Sequence, residues 1–298
     1  MRIFVTGGSG FIGTNFVKRN KDKHEITLYD LVKPGNLNSE FIEGSILDYE
    51  KILDITEKQD LVIHLAAKVG VKKTEDDLIS TLDTNILGTR NILKACRENK
   101  IGKIIFSSSS EVYGEPKMVP IKETENPTPI TTYGISKLVS EEYIKSYSKK
   151  FGIKYSILRF FNVTGPNQTK NFVLPEFVYN AKNNLPIKIH GSGKQVRAFC
   201  HVDDVCQALE KTLYAGDNDV FNIGNDTEPL TISELAEKVI KEMNSKSKIE
   251  FQKFEDSGRN RSKEILNRFP SIKKAEEILS FKPTLDLKHS IRSISSGF

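Results

Sequence analysis

Cysteine is scarce in this chain, and what there is has no pattern. Cys96, Cys200 and Cys206 are the only three among 298 residues, and no pair has metal or redox spacing. An odd count argues against a disulfide framework, so buried free thiols in a reducing cytosol are expected. The five histidines form no H-x-x-x-H or similar cluster, and no metal site is expected. No apolar run reaches membrane-spanning length, which predicts no membrane segment. The first strand begins at residue 2, which predicts no signal peptide. Internal repeats and low-complexity tracts are absent as well. The positive excess is small: 44 basic residues against 39 acidic ones give a net charge of +5, spread along the chain. A nucleic-acid surface would need clustering, so the expectation is a solvated lysine-rich surface with room for an anionic small molecule.

What remains is an ordinary globular composition, 28% charged and 38% hydrophobic. The length suits one large α/β domain or two modest ones. "RIFVTG" (2–7), "EITLYD" (25–30), "LVIHLAA" (61–67), "KIIFSSS" (103–109) and "KYSILRFFNV" (154–163) are apolar runs with little alternation. That texture suits strands buried on both faces. Helical patterns lie between them, at 85–99 and 134–151. Alternating strand and helix predicts a parallel, doubly wound sheet. After about residue 165 the texture changes. "TISELAEKVIKEM" (231–243) places Ile232, Leu235, Ala236, Val239, Ile240 and Met243 on one helical stripe, between short strands such as "PIKIHG" (186–191) and "VFNIG" (220–224). The expectation is an α/β fold with a sheet domain over 1–165 and a smaller mixed α/β domain over 166–298, with the chain crossing between them more than once.

The first strand runs into "TGGSGFIG" (6–13), where Gly7, Gly10 and Gly13 make G-x-x-G-x-x-G. One glycine permits the tight turn, a second lets backbone approach a pyrophosphate, and a third lets helix pack on strand. The helix N-terminus then offers free N–H groups to the anion. Asp30 ends the next strand, where it can bond both ribose hydroxyls of an adenosine. Its charge opposes a 2′-phosphate, so the reading is a Rossmann-type domain that takes NAD rather than NADP.

"YGISK" opens a helix and puts Tyr133 and Lys137 on one face, a turn apart. A nearby ammonium favours the phenolate, which predicts a phenol pKa below its usual ~10. Such a tyrosine can take a proton from a sugar hydroxyl as hydride leaves the same carbon. The pair follows a strand end rich in hydroxyls, "SSSSEVYG" (107–114). In a doubly wound sheet, ligands gather at the carboxyl ends of strands.

With these pieces in order the chain resembles the NAD-dependent epimerase/dehydratase family, extended short-chain dehydrogenases/reductases acting on nucleotide sugars. The likeness also rests on "HLAA" (64–67), "TNILGT" (84–89), "RFFNVTGP" (159–166), "GSGKQVRAFCHVDD" (191–204) and "FNIG" (221–224). It implies that Gly7, Gly10, Phe11, Ile12 and Gly13 cradle the pyrophosphate and that Asp30 holds the ribose. Ser45 and Ile46 would stand by the adenine. Leu65, Ala66, Ala67, Asn85, Ser107 and Phe160 would line the cofactor. Tyr133 would be the base, tuned by Lys137, which also reaches a ribose. Ser109 and Ser110 would face the sugar, and Asn162, Arg197 and Arg261 would hold the substrate's diphosphate or nucleotide. Family members usually dimerise through two helices per subunit, here those near 85–99 and 134–151.

This chain departs from the family pattern in places. It has "GSI" where an acid often faces adenine, "RAF" with Ala198 where R-D-F is usual, and Phe172 where an asparagine is common. In the resemblance, Ser109 is the hydroxyl that bonds the reacting sugar oxygen. Dehydratases of the dTDP-glucose type carry Asp-Glu next, whereas this chain carries Ser110-Glu111. The expected reaction is therefore 4-epimerisation of a nucleotide sugar, with Glu111 a pocket-wall carboxylate. Elimination or decarboxylation using Glu111, reduction of a 4-keto sugar, and a non-catalytic NAD-sensing role stay open.

Overall fold

The unalternating apolar runs do form the sheet. Ile3, Phe4 and Val5 are fully buried although neighbours in sequence point to opposite faces, which requires cover on both sides. The computed structural model describes residues 1–298 apart from 36, 38 and 258–263, and apart from the side chains of 71–73 and 257. The strands are Arg2–Thr6 (β1), Glu25–Asp30 (β2), Glu40–Glu43 (β3), Leu61–His64 (β4), Lys103–Ser109 (β5), Lys154–Phe160 (β6) and Val163–Thr164 (β7). Ile187–His190 (β8), Val196–Arg197 (β9), Cys200–His201 (β10), Asp219–Ile223 (β11), Leu230–Thr231 (β12), Ile249–Gln252 (β13) and Asn267–Arg268 (β14) follow. The helices are Phe11–Asn20 (α1), Tyr49–Thr56 (α2), Val71–Asp76 (α3), Leu78–Leu82 (α4), Gly88–Glu98 (α5) and Thr132–Phe151 (α6). Val173–Lys182 (α7), Val202–Thr212 (α8), Ile232–Glu242 (α9), Lys273–Leu279 (α10) and Leu287–Ser295 (α11) complete the set.

Seven strands make one sheet in the order β11-β6-β5-β4-β1-β2-β3. Every pairing within it is parallel. The chain runs from β1 to β2 and β3 on one side, then restarts on the other side with β4. The strand order thus reverses between β1 and β4, where such sheets bind ligands. One apolar cluster, including Phe16, Leu28, Val205 and Leu209, covers one face. Another, including Tyr29, Ile92, Ile104 and Ile144, covers the other. A separate cluster joins α7, α9 and α11 through residues such as Phe177, Leu235 and Ile291.

Two expectations change. "VFNIG" belongs to the large sheet as its edge strand β11, in register with β6 from Asp219↔Ser156 to Ile223↔Phe160. Five apolar-rich residues predict a strand but not its partner. The pattern at 85–99 is also not one regular helix. Asp83–Leu87 forms a π-turn, and α5 begins only at Gly88. Gly88 suits the site because a Cβ there would lie 2.4 Å from Ile46 Cδ1.

Candidate active site

The glycine turn joins β1 to α1. Gly7 has φ +69°, and a Cβ there would lie 2.6 Å from the Ala66 backbone nitrogen. Only glycine meets both demands cheaply. A Cβ on Gly13 would sit 2.4 Å from the Gly7 carbonyl oxygen, so that residue sets how closely helix packs on turn. Gly10 is the N-cap of α1 and has no side chain to cap it. The Thr14 N–H reaches the Gly10 carbonyl at 2.9 Å. The N–H groups of Phe11, Ile12 and Gly13 precede that first bond and face the open helix end. Ser9 Oγ is buried in the turn with no partner among the described residues. The Asp30 carboxylate accepts the N–H of Ser9 at 3.0 Å and of Leu31 at 2.7 Å, pinning the turn from the side.

Leu65, Ala66 and Ala67 follow β4 and wall the turn; the N–H of Leu65 reaches Thr6 O at 3.0 Å. Asn85 is swung inward by the π-turn. Its Nδ2 donates to Ser136 Oγ at 2.9 Å and its Oδ1 accepts the Lys68 N–H at 2.8 Å, so it ties the loop after β4 to α6. Ser45 accepts the Leu47 N–H through Oγ at 3.2 Å, a local turn bond. Ile46 is core, 6% exposed. Phe160, at the end of β6, is buried too.

At the end of β5 the first three of the four serines take different partners. Ser107 Oγ donates to His64 O at 3.1 Å, and Ser107 O accepts from Lys137 Nζ at 2.6 Å. Ser108 Oγ donates to Glu141 at 2.5 Å. Ser109 caps a single 3₁₀ turn, Ser110–Tyr113, and accepts the Glu111 N–H at 3.2 Å. Ser110 is buried within that turn. Helix α6 is capped by Thr131, whose Oγ1 accepts the Gly134 N–H at 3.0 Å. A Cβ on Gly134 would lie 2.6 Å from the Glu111 carbonyl oxygen. The glycine in "TTYGISK" thus lets α6 press against the turn, which brings the Tyr133 hydroxyl into hydrogen-bond reach of Ser109.

Electrostatics correct one sequence-based expectation. Burial pushes the Tyr133 phenol up, and the Glu111 charge adds to that; the Ser109 hydrogen bond and Arg268 act against it. The Lys137 ammonium lies 5.8 Å from the Tyr133 ring centre. Burial lowers Lys137 itself to about 7, against the pull of Glu141. Desolvation outweighs the pairing that the spacing suggested, so in the chain alone the phenol keeps its proton.

Glu111 is buried and engaged at both oxygens. Thr131 Oγ1 donates to Oε2 at 3.1 Å, and Arg268 Nη1 makes an ion pair with Oε1. Burial alone would raise this carboxyl, but Arg268, Thr131 and Arg197 hold it below the usual carboxylate range. Arg268 is the residue that sequence reasoning missed. It sits in the two-residue strand β14, which offers no periodicity, and reaches Glu111 across 157 positions.

The substrate-side residues divide. Arg197 stands in register with Arg268 across β9 and β14. Its Nη2 donates to Ile265 O at 2.7 Å and its Nη1 to Val196 O at 2.8 Å. Burial, with Arg268 acting in the same direction, lowers it to about 9 against the pull of Glu111. A cleft of about 330 Å³ opens beside it, lined by Gly191, Ser192, Phe254, Glu264 and Leu266. Asn162, at φ 35°, donates through Nδ2 to Ala198 O at 3.0 Å, which fixes β7 to the loop before β10. Arg261 lies outside the described residues.

Comparison with known proteins decides what this arrangement belongs to. Residues 3–224 match the model of the NAD dependent epimerase/dehydratase family. The chain belongs to this family. A putative UDP-glucose 4-epimerase of Methanocaldococcus jannaschii is 36% identical over 304 residues, covering 98% of this chain and 96% of that protein. A UDP-N-acetyl-alpha-D-glucosaminuronate decarboxylase of Bacillus cytotoxicus is 33% identical over 319 residues, covering 100% and 97%. The UDP-glucuronic acid 4-epimerase of Bacillus cereus, solved with UDP-glucuronic acid and NAD, superposes with a TM-score of 0.91 at 28% identity and covers 100% of this chain and 98% of its own. The fold is thus the Rossmann-like fold of this family, and the cofactor is NAD.

The residues present fit that cofactor. The orphaned Ser9 hydroxyl, the free N–H groups at the α1 terminus and the bare Gly10 form an anion cradle of pyrophosphate character. Asp30 uses two acceptor positions on the turn and keeps others for a ribose, since a carboxylate offers about four. Among the described residues no cluster of His, Cys, Asp and Glu has a metal-binding arrangement, and no helix is long and apolar enough to cross a membrane.

Proposed function

We propose that this protein is an NAD-dependent nucleotide-sugar 4-epimerase. The supporting observation is the meeting of Ser109, Tyr133 and Lys137 at the end of β5, beside a Glu111 whose two oxygens are already engaged. Bound NAD supplies a hydride acceptor, and then a hydride donor, at the sugar C4. Tyr133, once in its phenolate form, takes the proton of the C4 hydroxyl as that carbon is oxidised to the ketone. Ser109 holds the same oxygen by a hydrogen bond. Lys137, buried and anchored on Ser107 O, supplies positive charge on the same helix face when protonated. The 4-keto sugar turns over, Tyr133 returns the proton, and C4 is inverted with no net oxidation. Arg197 supplies a guanidinium of the kind that meets a diphosphate.

Tyr133→Phe should lower turnover by ~10²–10⁴-fold, the span of general acid–base catalysis, while NAD stays bound. Turnover within a few-fold of the parent would sink the mechanism. A second reading is decarboxylation of a nucleotide-sugar uronate. Glu111 beside the sugar site and a full-length relative of that name favour it.

In the same reading the chain works in the cytoplasm, which its three buried free thiols support. It pairs as a homodimer through the segment 85–99, which joins the π-turn to α5, and through α6, supported by exposed Leu87 and Ile135. Sedimentation should give twice the chain mass, and Ile135→Glu should give monomers. A monomeric parent chain would refute the pairing.

A further inference from the structure

The segment from Lys68 to Leu82 leads from the sheet to the start of α6, and it is tied at both ends. At the sheet end the Lys68 N–H reaches Asn85 Oδ1 at 2.8 Å, and Asn85 Nδ2 donates to Lys68 O at 3.2 Å. The Lys68 ammonium donates to Asp77 Oδ2 at 2.8 Å and to Ser80 Oγ, where α3 gives way to α4. Thr74 Oγ1 donates to Gly70 O at 3.1 Å and Thr81 Oγ1 to Asp77 O at 2.7 Å, which closes the two short helices on themselves. At the α6 end, Glu75 Oε1 accepts the Thr132 N–H at 2.9 Å across 57 positions.

That last bond falls one residue from the proton carrier. Thr131 is the N-cap of α6, so Thr132 is the first helical residue and Tyr133 the second. The first N–H groups of a helix have no partner within it. Thr131 shapes this first turn from inside: its Oγ1 accepts the Gly134 N–H at 3.0 Å, and its carbonyl accepts the Ile135 N–H at 2.9 Å. Glu75 takes the Thr132 N–H from outside, where the helix dipole also favours a carboxylate. Its bond fixes where the turn sits relative to the loop after β4.

We propose that Glu75 is a positioning residue for Tyr133. It holds the first turn of α6 against the segment that follows the Leu65, Ala66 and Ala67 wall, and so sets the place of the phenol relative to the cofactor. The proposal rests on the reading of Tyr133 as the proton carrier of an epimerase. Proton transfer and hydride transfer at one carbon need one geometry, and a misplacement of about 1 Å can cost ~10²-fold. The bond needs an acceptor at position 75 rather than a charge. An amide oxygen can replace the carboxylate there, and an alkyl side chain cannot.

The test compares Glu75→Gln with Glu75→Leu in the NAD-loaded protein, with Glu75→Ala in place of the leucine variant should that one not fold. Amide hydrogen exchange at Thr132 should be ~10-fold faster in Glu75→Leu than in the parent, and within about threefold of the parent in Glu75→Gln. With the nucleotide sugar that the protein epimerises, Glu75→Leu should lower kcat by ~10-fold or more while KM changes less than about threefold. Glu75→Gln should restore kcat to within about threefold of the parent. An unchanged Thr132 exchange rate in Glu75→Leu would overturn the proposal. So would a parent-like kcat in that variant, or a Glu75→Gln as slow as Glu75→Leu. The exchange result needs no turnover, and Tyr133→Phe on the same sugar tests the epimerase reading by itself, so the two failures are told apart.

Discussion

His64 closes β4 inside the "HLAA" run, and its ring is shared between two hydroxyls. Nδ1 lies 2.7 Å from Thr6 Oγ1 and Nε2 3.1 Å from Thr89 Oγ1. Burial lowers the ring to about 3, and the Lys137 charge acts in the same direction. The unfolded chain takes up that proton near 6.5, which the folded chain refuses until about 3. Stability should therefore fall as pH drops through that window. His64→Gln should flatten this part of the dependence of melting temperature on pH, and an unchanged slope would refute the assignment. The sequence pointed to the backbone of this run, not to the imidazole, because its two partners are 58 and 25 residues away. Glu111 tells the same story: its place among the serines was legible, but its partner Arg268 was not. The tuning of Tyr133 was misjudged for a related reason. Helical spacing gives the distance to Lys137 but says nothing of desolvation.

Elements were more legible than their junctions. The strands announced themselves as unalternating apolar runs, and the capped helix α6 by its tyrosine and lysine a turn apart. What links α6 to the sheet was hidden. Glu141 is fully buried on α6 and pairs with Arg159 of β6 at 2.6 Å, while Ser108 of β5 donates to the same carboxylate. This cluster holds three elements in the register that brings Ser109, Tyr133 and Lys137 together. Arg159→Met would leave the buried carboxylate without its two-pronged partner and with only the more distant Lys145 ammonium at 3.9 Å, at a cost of ~3–5 kcal/mol. Urea unfolding should record that loss, and a change below about 1 kcal/mol would mean the cluster is not what holds these elements. The π-turn at Asp83–Leu87 was illegible, since a single extra residue in a helix leaves the apolar stripe nearly intact.

At the scale of the molecule, motif order disclosed the family, because "TGGSGFIG" falls at the end of β1, "SSSSEVYG" at the end of β5 and "YGISK" at the start of the helix that follows β5. The reaction was less legible. Glu111, Tyr133 and Arg268, whose charges interact at the site, come from three regions that meet only in the folded chain. Relatives named a putative UDP-glucose 4-epimerase and a decarboxylase both span this chain at similar identity, so fold does not choose between them. Chemistry does. The decisive measurement is to incubate the NAD-loaded protein with UDP-hexoses and UDP-uronates and to read the products by mass and NMR. The account predicts a product of unchanged mass with C4 inverted; loss of water or of carbon dioxide would contradict it.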